Sequence, residues 1–265
     1  MALPSNLSFA EMYERFLVEP LFRPFAEQLL ERTRPTASDS TLDIACGTGI
    51  VARLARLKLR RGAKVVGVDV SGPMLAVAGG VDSTIDWREG NATALPVPAD
   101  ERFSIVTCHQ GLQFVPDRAG AAREMRRVLR SGGRIAIGTW LPIEDIPFVR
   151  DLDQIARQQL GPFTDSRHSC GDGKALARLL EENDFRDVTV DTVSHDVRIA
   201  DGPFFARMNA MAVVGMSPKG KALDDSGRAT LAGEIATASL DVVQRYTRDG
   251  VLTFALATNV VTARV

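Results

Sequence analysis

The sequence has few of the residues that build covalent frameworks, and it has no long apolar run. Its 3 cysteines are an odd number without paired spacing, which argues against a disulfide scaffold. No apolar run approaches the roughly 20 residues that a bilayer crossing requires, and no basic segment followed by an apolar stretch marks a signal peptide. We therefore predict a cytoplasmic, reduced protein without a membrane span.

Net charge is also nearly absent. The chain carries 32 basic and 33 acidic residues, for a formal charge of −1. Proteins that bind nucleic acid need a basic surface, so we expect a small-molecule partner and no nucleic acid. The 265 residues, 45% of them hydrophobic, suit one large α/β domain or a domain with a cap. The sequence leaves open whether the chain is a monomer or a homodimer.

A glycine-containing loop is the most informative feature that is present. The apolar run Thr41–Cys46 predicts a strand, and Ile50–Leu59 predicts a helix. Gly47 and Gly49 lie between them, where glycine allows tight turns and a close approach of backbone N–H groups to a ligand. Gly47-x-Gly49-x-x-Ala52 also matches the dinucleotide fingerprint, which a simple tight turn can match as well.

Asp43 changes the interpretation of this loop. A carboxylate near the end of an apolar strand is costly to bury without a cationic or hydrogen-donating partner. The phosphates of a nicotinamide dinucleotide would be repelled by Asp43, whereas an ammonium group would be held. The loop therefore favours a ligand with a positive charge.

The segment Asp43-Ile-Ala-Cys-Gly-Thr-Gly resembles the first motif of class I S-adenosylmethionine (SAM)-dependent methyltransferases. The resemblance implies SAM as the cofactor, with Asp43 holding its amino group and the loop residues cradling its methionine end. Ala45 stands where many members have glycine, which we expect to be a mild departure if its φ is negative. The loop residues predicted to bind the cofactor are Ala45, Cys46, Gly47 and Gly49.

The second strand, predicted over Lys64–Val70, carries Asp69 at its end, followed by Val70. An acid at this distance from the glycine loop accepts hydrogen bonds from ribose hydroxyls, although a capping or turn role is the alternative. Ser71-Gly-Pro-Met74 opens a helix. The resemblance implies that Met74 lies against adenine; otherwise it is a core residue.

Two further segments complete the predicted cofactor site. After a third strand over Thr84–Arg88, the resemblance makes Asn91 and Ala92 adenine-binding, because an amide carbonyl can accept from the exocyclic amine. A fourth strand over Ser104–Cys108 leads into His109-Gln110-Gly-Leu-Gln113, and residues leaving a central strand face the ligand crevice. We predict cofactor contacts from Cys108, His109, Gln110 and Gln113. The family commonly has histidine where Gln113 stands.

Two histidines are candidate catalytic residues. His109 has an ordinary pKa near neutrality and could orient or deprotonate an acceptor hydroxyl, or it could line the cofactor pocket through its backbone. His168 is the second candidate, on a predicted loop between Gly161 and Gly173. Cys46, Cys108 and His109 fall short of the four ligands of a zinc site, so we predict no metal.

Apolar residues at helical spacing precede the first strand, and Pro20 divides them into two predicted helices. These helices could cover the site or pack on the sheet edge, and the resemblance implies that Tyr13 closes over SAM. Later apolar residues predict either an acceptor pocket or the core of a cap. They are Phe163, Phe204, Phe205, Met208, Met211 and Met216.

The predicted fold is α/β: a Rossmann-like doubly wound sheet of seven mostly parallel strands, the last antiparallel, with a small helical cap. A helix over Asp117–Leu129, stopped by Gly132 and Gly133, precedes strand five at Arg134–Trp140. Strands six and seven are Asp187–His195 and Leu252–Arg264, and Ala229–Tyr246 is one helix. The single domain 1–265 has its core in 36–140, 171–197 and 249–265, and its cap in 1–35, 141–170 and 198–248.

The function that these features predict is SAM-dependent methylation of a small, largely apolar molecule, with O-methylation favoured. The resemblance is to quinone-biosynthesis-like and natural-product methyltransferases. A nicotinamide-dependent oxidoreductase is one alternative, against which Asp43 and Asn91 argue. A non-catalytic SAM-binding protein is the other.

Overall fold

A computed structural model describes residues 7–265, so residues 1–6 of the predicted cap lie outside the described part of the chain. These residues form two compact units. The sheet unit consists of 7–140, 170–193 and 258–265, and the helical unit consists of 141–169 and 194–257. Residues 7–35, which the sequence assigns to the cap, belong to the sheet unit. The assignment of core and cap within one domain stays a prediction.

The described strands are Thr41–Ile44 (β1), Val65–Asp69 (β2), Asp86–Glu89 (β3), Phe103–His109 (β4), Leu129–Trp140 (β5), Arg186–Ile199 (β6), Thr247–Arg248 (β7) and Val251–Arg264 (β8). One sheet contains all of them, in the order β3-β2-β1-β4-β5-β8-β6. The strands β1 to β5 are parallel to one another, whereas β8 is antiparallel to β5, and the two-residue β7 pairs with β8. The predicted α/β fold is confirmed, with β7 as an additional strand.

The strand order creates a crevice where a ligand can bind. From β1 the chain moves outward through β2 to β3, and then it returns to β4 on the other side of β1. Parallel crossovers are right-handed, so the helices after β1 and β4 cover opposite faces of the sheet. The ends of β1 and β4 therefore diverge at a topological switch point, which is where such folds bind ligands.

The N-terminal segment is one continuous helical stretch, which corrects the prediction of two helices separated at Pro20. α1 (Phe9–Tyr13) leads into a π-helix over Glu14–Phe22 and then into α2 (Arg23–Arg32). Pro20 lies inside the π-helix, and the N–H of Arg23 bonds to the carbonyl of Val18, five residues back. The wider winding accommodates a proline whose missing N–H would interrupt an α-helix.

Gly132 and Gly133 do not stop a helix as predicted. α5 (Arg118–Val128) ends one residue before Leu129, which is already extended, and β5 starts there. Gly132 has φ +69°, and its N–H donates to the carbonyl of Val265 over 3.1 Å. This glycine therefore turns the chain at the start of a strand. The other helices of the sheet unit are α3 (Ile50–Lys58), α4 (Gly72–Val81) and α7 (Gly173–Glu181).

The helical unit contains five α-helices among its described residues. The predicted helix over Ala229–Tyr246 is two helices that meet at Ser239, whose hydroxyl donates to the carbonyl of Ile235 over 2.8 Å. This bond competes with regular helical pairing. The five are α6 (Pro147–Leu160), α8 (Gly202–Met216), α9 (Pro218–Lys221), α10 (Asp225–Ala238) and α11 (Leu240–Arg245).

The apolar residues predicted for an acceptor pocket pack mainly within the helical unit itself. Phe163, Phe204, Phe205 and Met208 are buried, and Met211 and Met216 pack against the core of α8 and α10. Phe205 also lies 5.5 Å from the ring of Phe254. The alternative interpretation, core of the cap, therefore accounts for these residues.

Trp87 on β3 packs its indole across two glycines of the sheet unit. A Cβ added to Gly67 on β2 would lie 2.3 Å from the ring, and one added to Gly49 would lie 2.2 Å from it. The indole N–H donates to the carbonyl of Asp82 over 2.8 Å, which holds the ring in place. Glycine is therefore needed at both positions so that the ring can lie flat against the backbone.

We expect Gly67→Ala to lower the free energy of unfolding by about 1–3 kcal/mol, because the new methyl group overpacks the contact with Trp87. Urea denaturation measures this effect. Gly80→Ala is the matched control: Gly80 is helical with open space around it, so alanine should stabilise by about 0.5–1 kcal/mol. A cost of Gly67→Ala that persists in a Trp87→Leu background would contradict this explanation.

Candidate functional site

The glycine loop links the end of β1 to the start of α3. Gly47 and Gly49 have φ +56° and +89°, and the N–H of Gly49 donates to the carbonyl of Cys46 over 2.8 Å. Ala45 has φ +53°, so the condition under which alanine would be a mild departure from the family pattern is not met. Alanine in the left-handed region costs roughly 1–2 kcal/mol, which explains why glycine is common at this position in the family.

Asp43 is 1% exposed, and it finds hydrogen donors inside the protein. One carboxylate oxygen accepts from the hydroxyl of Thr107 over 2.8 Å, and the other accepts from the N–H of Ala52 over 3.2 Å. Burial raises the pKa of this carboxyl to about 7, the two donors lower it, and Asp69 raises it further. Asp43 therefore joins β1, β4 and α3, and its contact with a ligand's ammonium group stays a prediction.

Asp69 joins the glycine loop to the start of α4. Its carboxylate accepts from the N–H of Gly47 over 2.7 Å and from the N–H of Ser71 over 2.9 Å. Burial and the carboxylates of Glu14 and Asp69 raise the pKa of the Tyr13 phenol, so its hydroxyl keeps its proton near these acids. Tyr13 and Asp69 therefore lie close enough to interact electrostatically, and their contacts with a cofactor stay predictions.

Residues that follow Asp69 and β3 line the same edge of the sheet. Val70 is 72% exposed, which is unusual for a valine, while Met74 and Ala92 are half-buried. The side-chain carbonyl of Asn91 accepts from the N–H and the hydroxyl of Thr93 over 2.9 and 3.0 Å. An adenine amine would therefore share an acceptor that already closes a turn.

The residues at the end of β4 form an internal network. Gln110 has φ +54°, its amide donates to the hydroxyl of Thr258 over 2.9 Å, and its carbonyl accepts from the N–H of Trp140 over 2.8 Å. The amide of Gln113 also reaches this carbonyl. The side chains of both glutamines thus tie β4 to its neighbours, so any cofactor contact from Gln110 would come from its backbone. Cys108 lies in the core, and burial raises the pKa of its thiol.

His109 lies in an aromatic cluster rather than beside an acid. Its ring centroid is 6.4 Å from those of Phe22 and Trp140, and Phe25 stacks edge-on against Trp140 at 5.0 Å. Burial lowers the pKa of the imidazole to about 4, and the backbone of Phe22 offsets only part of this effect. The expectation of a histidine with a pKa near neutrality is therefore wrong, because the apolar surroundings favour the uncharged ring.

His168 belongs to the helical unit. Its Nδ1 lies 2.8 Å from the carbonyl of Leu141, so this nitrogen carries the proton and Nε2 is the acceptor. Burial lowers the pKa of His168, and Arg167 contributes in the same direction. The neighbouring Asp165 is buried, and its two carboxylate oxygens accept from Nε and from a terminal nitrogen of Arg167 over 2.9 and 2.6 Å.

Sequence reasoning missed several residues of this region. Thr107 and Arg53 act over long sequence separations: Thr107 bonds to Asp43, and Arg53 pairs with Glu14 over 2.9 Å. The hydroxyl of Thr48 in the glycine loop is buried without a hydrogen-bond partner among the described residues. A threonine within the loop sequence Cys-Gly-Thr-Gly is the one signal that could have pointed to it.

The sheet unit thus brings most of the predicted cofactor residues to one edge, around Asp43, Gly47 and Asp69. His168 lies in the other unit. Residues 7–265 contain no cluster of three or more histidine, cysteine or acidic side chains arranged to hold a metal ion. In the same range, none of the helices combines the length and apolar character that a membrane crossing requires.

Residues 42–137 match the family model described as a methyltransferase domain. Over 107 residues the chain is 41% identical to the chloroplastic 2-phytyl-1,4-beta-naphthoquinone methyltransferase of Arabidopsis thaliana, covering 37% of this chain and 41% of that protein. It is 36% identical over 109 residues to the ubiquinone biosynthesis O-methyltransferase of Pseudomonas entomophila, covering 39% and 45%. It is 37% identical over 114 residues to the ubiquinone/menaquinone biosynthesis C-methyltransferase of Hahella chejuensis, covering 41% and 45%.

The matches therefore span less than half the length of each of these relatives. Among solved structures, phosphoethanolamine N-methyltransferase 2 of Haemonchus contortus in complex with SAM superposes with a TM-score of 0.55 and 16% identity. The match covers 98% of this chain and 60% of that one. Likeness at this identity concerns the fold. Because the domain model covers the glycine loop and the ends of β2 and β4, residues 42–137 are a methyltransferase domain of the class I type, with SAM as the cofactor of this domain.

Proposed function

We propose that the sheet unit binds SAM at the carboxyl ends of β1, β2 and β4 and transfers its methyl group to a small, largely apolar molecule. The observation that carries this proposal is Asp69, which bonds to Gly47 and Ser71 and so joins the glycine loop to α4. A carboxylate has further acceptor capacity, which suits ribose hydroxyls at this position.

The proposed cofactor-binding residues surround this acid. Bound SAM supplies an electrophilic methyl group on a sulfonium, and the chain's contribution is to orient it and to exclude water. The acids at the site favour a cationic ligand over a dinucleotide phosphate. The proposed cofactor-binding residues are Tyr13, Asp43, Ala45, Cys46, Gly47, Gly49, Asp69, Val70, Met74, Asn91, Ala92, Cys108, His109, Gln110 and Gln113.

The proposed acceptor is an apolar molecule with one hydroxyl group, so that the product is a methyl ether. Phe22, Phe25, Trp140 and His109 form an aromatic cluster at the ends of β4 and β5. Apolar surroundings with one convergent polar group are typical of sites for small organic ligands. The relatives that act on quinone-type molecules are consistent with such an acceptor, although they include both O- and C-methyltransferases by name.

His109 acts in this proposal as an uncharged hydrogen-bond acceptor for the hydroxyl. Because burial lowers its pKa to about 4, the ring is neutral at pH 7, so we expect kcat to show no step from this group between pH 6 and 8. A group with so low a pKa is a weak base, which makes positioning its larger contribution. His168 remains proposed as a second catalytic residue with Nε2 as its acceptor atom.

The near-zero net charge supports a small-molecule partner rather than nucleic acid. A cytoplasmic location also remains part of the proposal, in keeping with the 3 cysteines, which form no disulfide among the described residues. A homodimer remains an alternative to a monomer.

A methyl-transfer assay tests the proposed function. The protein is incubated with methyl-labelled SAM and with 1-naphthol, catechol or menadiol, and the products are identified by mass spectrometry. We expect S-adenosylhomocysteine and a methyl ether. A C-methylated product would contradict the proposed acceptor atom alone. Binding of SAM without turnover across the panel would favour the non-catalytic SAM-binding alternative.

Asp69→Ala is expected to weaken SAM binding by about 1–3 kcal/mol, because ribose hydroxyls lose their acceptor. Isothermal titration calorimetry measures this change. Asp82→Ala is the matched control, since Asp82 bonds to Thr84 on an exposed turn instead. Unchanged affinity in Asp69→Ala would show that the ribose is held elsewhere.

A further inference from the structure

His109 is a buried polar group that the sheet unit leaves unsatisfied. The residue is 9% exposed, neither ring nitrogen forms a well-directed hydrogen bond among the described residues, and the backbone of Phe22 interacts only weakly with the imidazole. A neutral imidazole whose N–H points toward this backbone keeps its other nitrogen as an unused acceptor. Burying a polar group without a partner costs free energy that a fold normally avoids. Such a group at the carboxyl end of a central strand is a common feature of a site that a ligand completes.

The neighbouring strand makes room for the imidazole. Gly138 on β5 lies beside His109 in the register, and a Cβ there would come within 2.9 Å of Nδ1. The imidazole of His109 thus packs directly against the backbone of Gly138, and aromatic side chains surround the rest of the ring. Trp140 and Phe22 surround it at centroid distances of 6.4 Å.

Phe22 closes this cluster from the N-terminal segment. Its ring is perpendicular to the imidazole, with an interplanar angle of 88°, and it also contacts Tyr13 at 4.9 Å and Trp140 at 5.9 Å. An edge-to-face arrangement of this kind is favourable for aromatic pairs. The phenyl ring of Phe22 therefore occupies the position from which another planar ring could reach the imidazole.

Phe22 is carried by a π-helix, whose winding is wider than that of an α-helix. Phe22 is the last residue of the π-helix Glu14–Phe22, which contains Pro20 and continues directly into α2. π-Helical turns are rare and occur frequently at functional sites. The first residue of this helix is anchored, because Glu14 forms an ion pair with Arg53 of α3 over 2.9 Å. A change from π-helical to α-helical winding between Glu14 and Arg23 would therefore move Phe22, while the ion pair of Glu14 with Arg53 stays in place.

We propose that Phe22 is a gate over an acceptor site for a planar aromatic alcohol, and that the gate opens when the ring of the acceptor replaces the ring of Phe22. The hydroxyl of the acceptor then donates to a ring nitrogen of His109. This inference rests on the proposed function, since it identifies the acceptor of the same site. Within residues 7–265 no charged side chain bonds to the imidazole, which favours a neutral hydroxyl over a carboxylate or an ammonium group.

Calorimetry with 1-naphthol and with naphthalene, which lacks the hydroxyl, tests the role of His109. We expect the wild-type protein to bind 1-naphthol about tenfold more tightly than naphthalene, because the hydroxyl satisfies a buried acceptor. His109→Phe should abolish this preference, whereas His109→Gln, which keeps an acceptor, should retain part of it. Equal binding of the two ligands by the wild type, no binding of 1-naphthol, or a preference that survives His109→Phe would overturn the proposal.

Phe22→Ala tests the gate itself. Removing the ring that must be displaced should strengthen binding of both ligands by about fivefold, with their ratio unchanged. Unchanged or weaker binding would overturn the gate. Titration of S-adenosylhomocysteine into each variant reports on folding and on the proposed function independently. A variant that binds this product normally but shows no naphthol preference loses the acceptor site alone, and a wild-type protein that does not bind it contradicts the proposed function.

Discussion

Gly49→Ala is expected to weaken SAM binding and to slow methyl transfer by about 100-fold, because a displacement of about 1 Å at the site is enough for a rate loss of this size. Two features of the structure act together. Gly49 has φ +89°, which side chains rarely adopt, and its added Cβ would lie 2.2 Å from Trp87. Backbone strain and overpacking of the indole should also lower the free energy of unfolding by about 2–5 kcal/mol.

Gly47→Ala is the matched comparison for this prediction. Gly47 has a positive φ of +56°, but a Cβ there would meet no atom within 4 Å. Alanine at Gly47 should therefore lower the free energy of unfolding only through the strain of its positive φ, by roughly 1–2 kcal/mol. In a Trp87→Leu background, Gly49→Ala should approach the same cost. Wild-type affinity for SAM in folded Gly49→Ala would show that the loop does not cradle the cofactor.

Asp43→Ala is expected to lower the free energy of unfolding by about 2–5 kcal/mol, since it leaves two buried donors unpaired. These are the N–H of Ala52 and the hydroxyl of Thr107. Asp43→Asn is the isosteric control. The amide oxygen can accept from the N–H of Ala52, and the amide N–H can donate to the hydroxyl of Thr107, which then accepts instead of donating. Equal stability of the alanine variant and the wild type in urea denaturation would show that the hydrogen bonds of Asp43 to Ala52 and Thr107 do not stabilise the fold.

The charge of Asp43 should appear in the pH dependence of SAM affinity. Burial raises its pKa to about 7, so the carboxyl loses its proton as the pH rises through neutrality. The cationic cofactor should therefore bind more tightly at pH 7.5 than at pH 6, by up to about tenfold. Asp43→Asn should remove this slope while keeping the fold. A wild-type slope that persists in Asp43→Asn would assign the titration to another group.

The contribution of Asp43 to the free energy of unfolding should change with pH in the direction opposite to its effect on SAM affinity. Because its folded pKa is raised, its contribution to stability is present at low pH and is lost as the pH rises through about 7. His109 has a folded pKa lowered to about 4, so its contribution is present above neutrality and is lost as the pH falls. The two slopes oppose each other. The difference between wild type and Asp43→Asn, measured at each pH, isolates the carboxyl.

Sequence reasoning predicted the parts of the fold that depend on local pattern. The strand–loop–helix around Gly47 and the acid at the end of β2 are local, and residues that end parallel strands meet at one edge. The Rossmann-like sheet of mostly parallel strands with an antiparallel last strand was predicted together with the resemblance to a known family, whereas the strand order was not predicted. The π-helix did not follow, because the spacing of apolar residues around Pro20 is compatible with an interruption and with a wider turn alike.

The electrostatics of the site could not be predicted from the sequence. Asp43 receives its donor from Thr107, which is 64 residues away along the chain. The pKa of His109 depends on Phe22 and Trp140, which reach it from the N-terminal segment and from β5. The φ of Ala45 likewise depends on how the loop packs against Gly111, whose added Cβ would lie 2.3 Å from that of Ala45. Contacts of this kind exist only in the folded chain.

Calorimetric titration of the wild-type protein with SAM and with NAD at pH 7.5 tests the central claim most directly. If the acids Asp43 and Asp69 select a cationic cofactor at the glycine loop, SAM binds and NAD does not. The Asp69→Ala variant then binds SAM more weakly by about 1–3 kcal/mol. Tight binding of NAD with no binding of SAM would contradict the claim and favour the nicotinamide-dependent alternative.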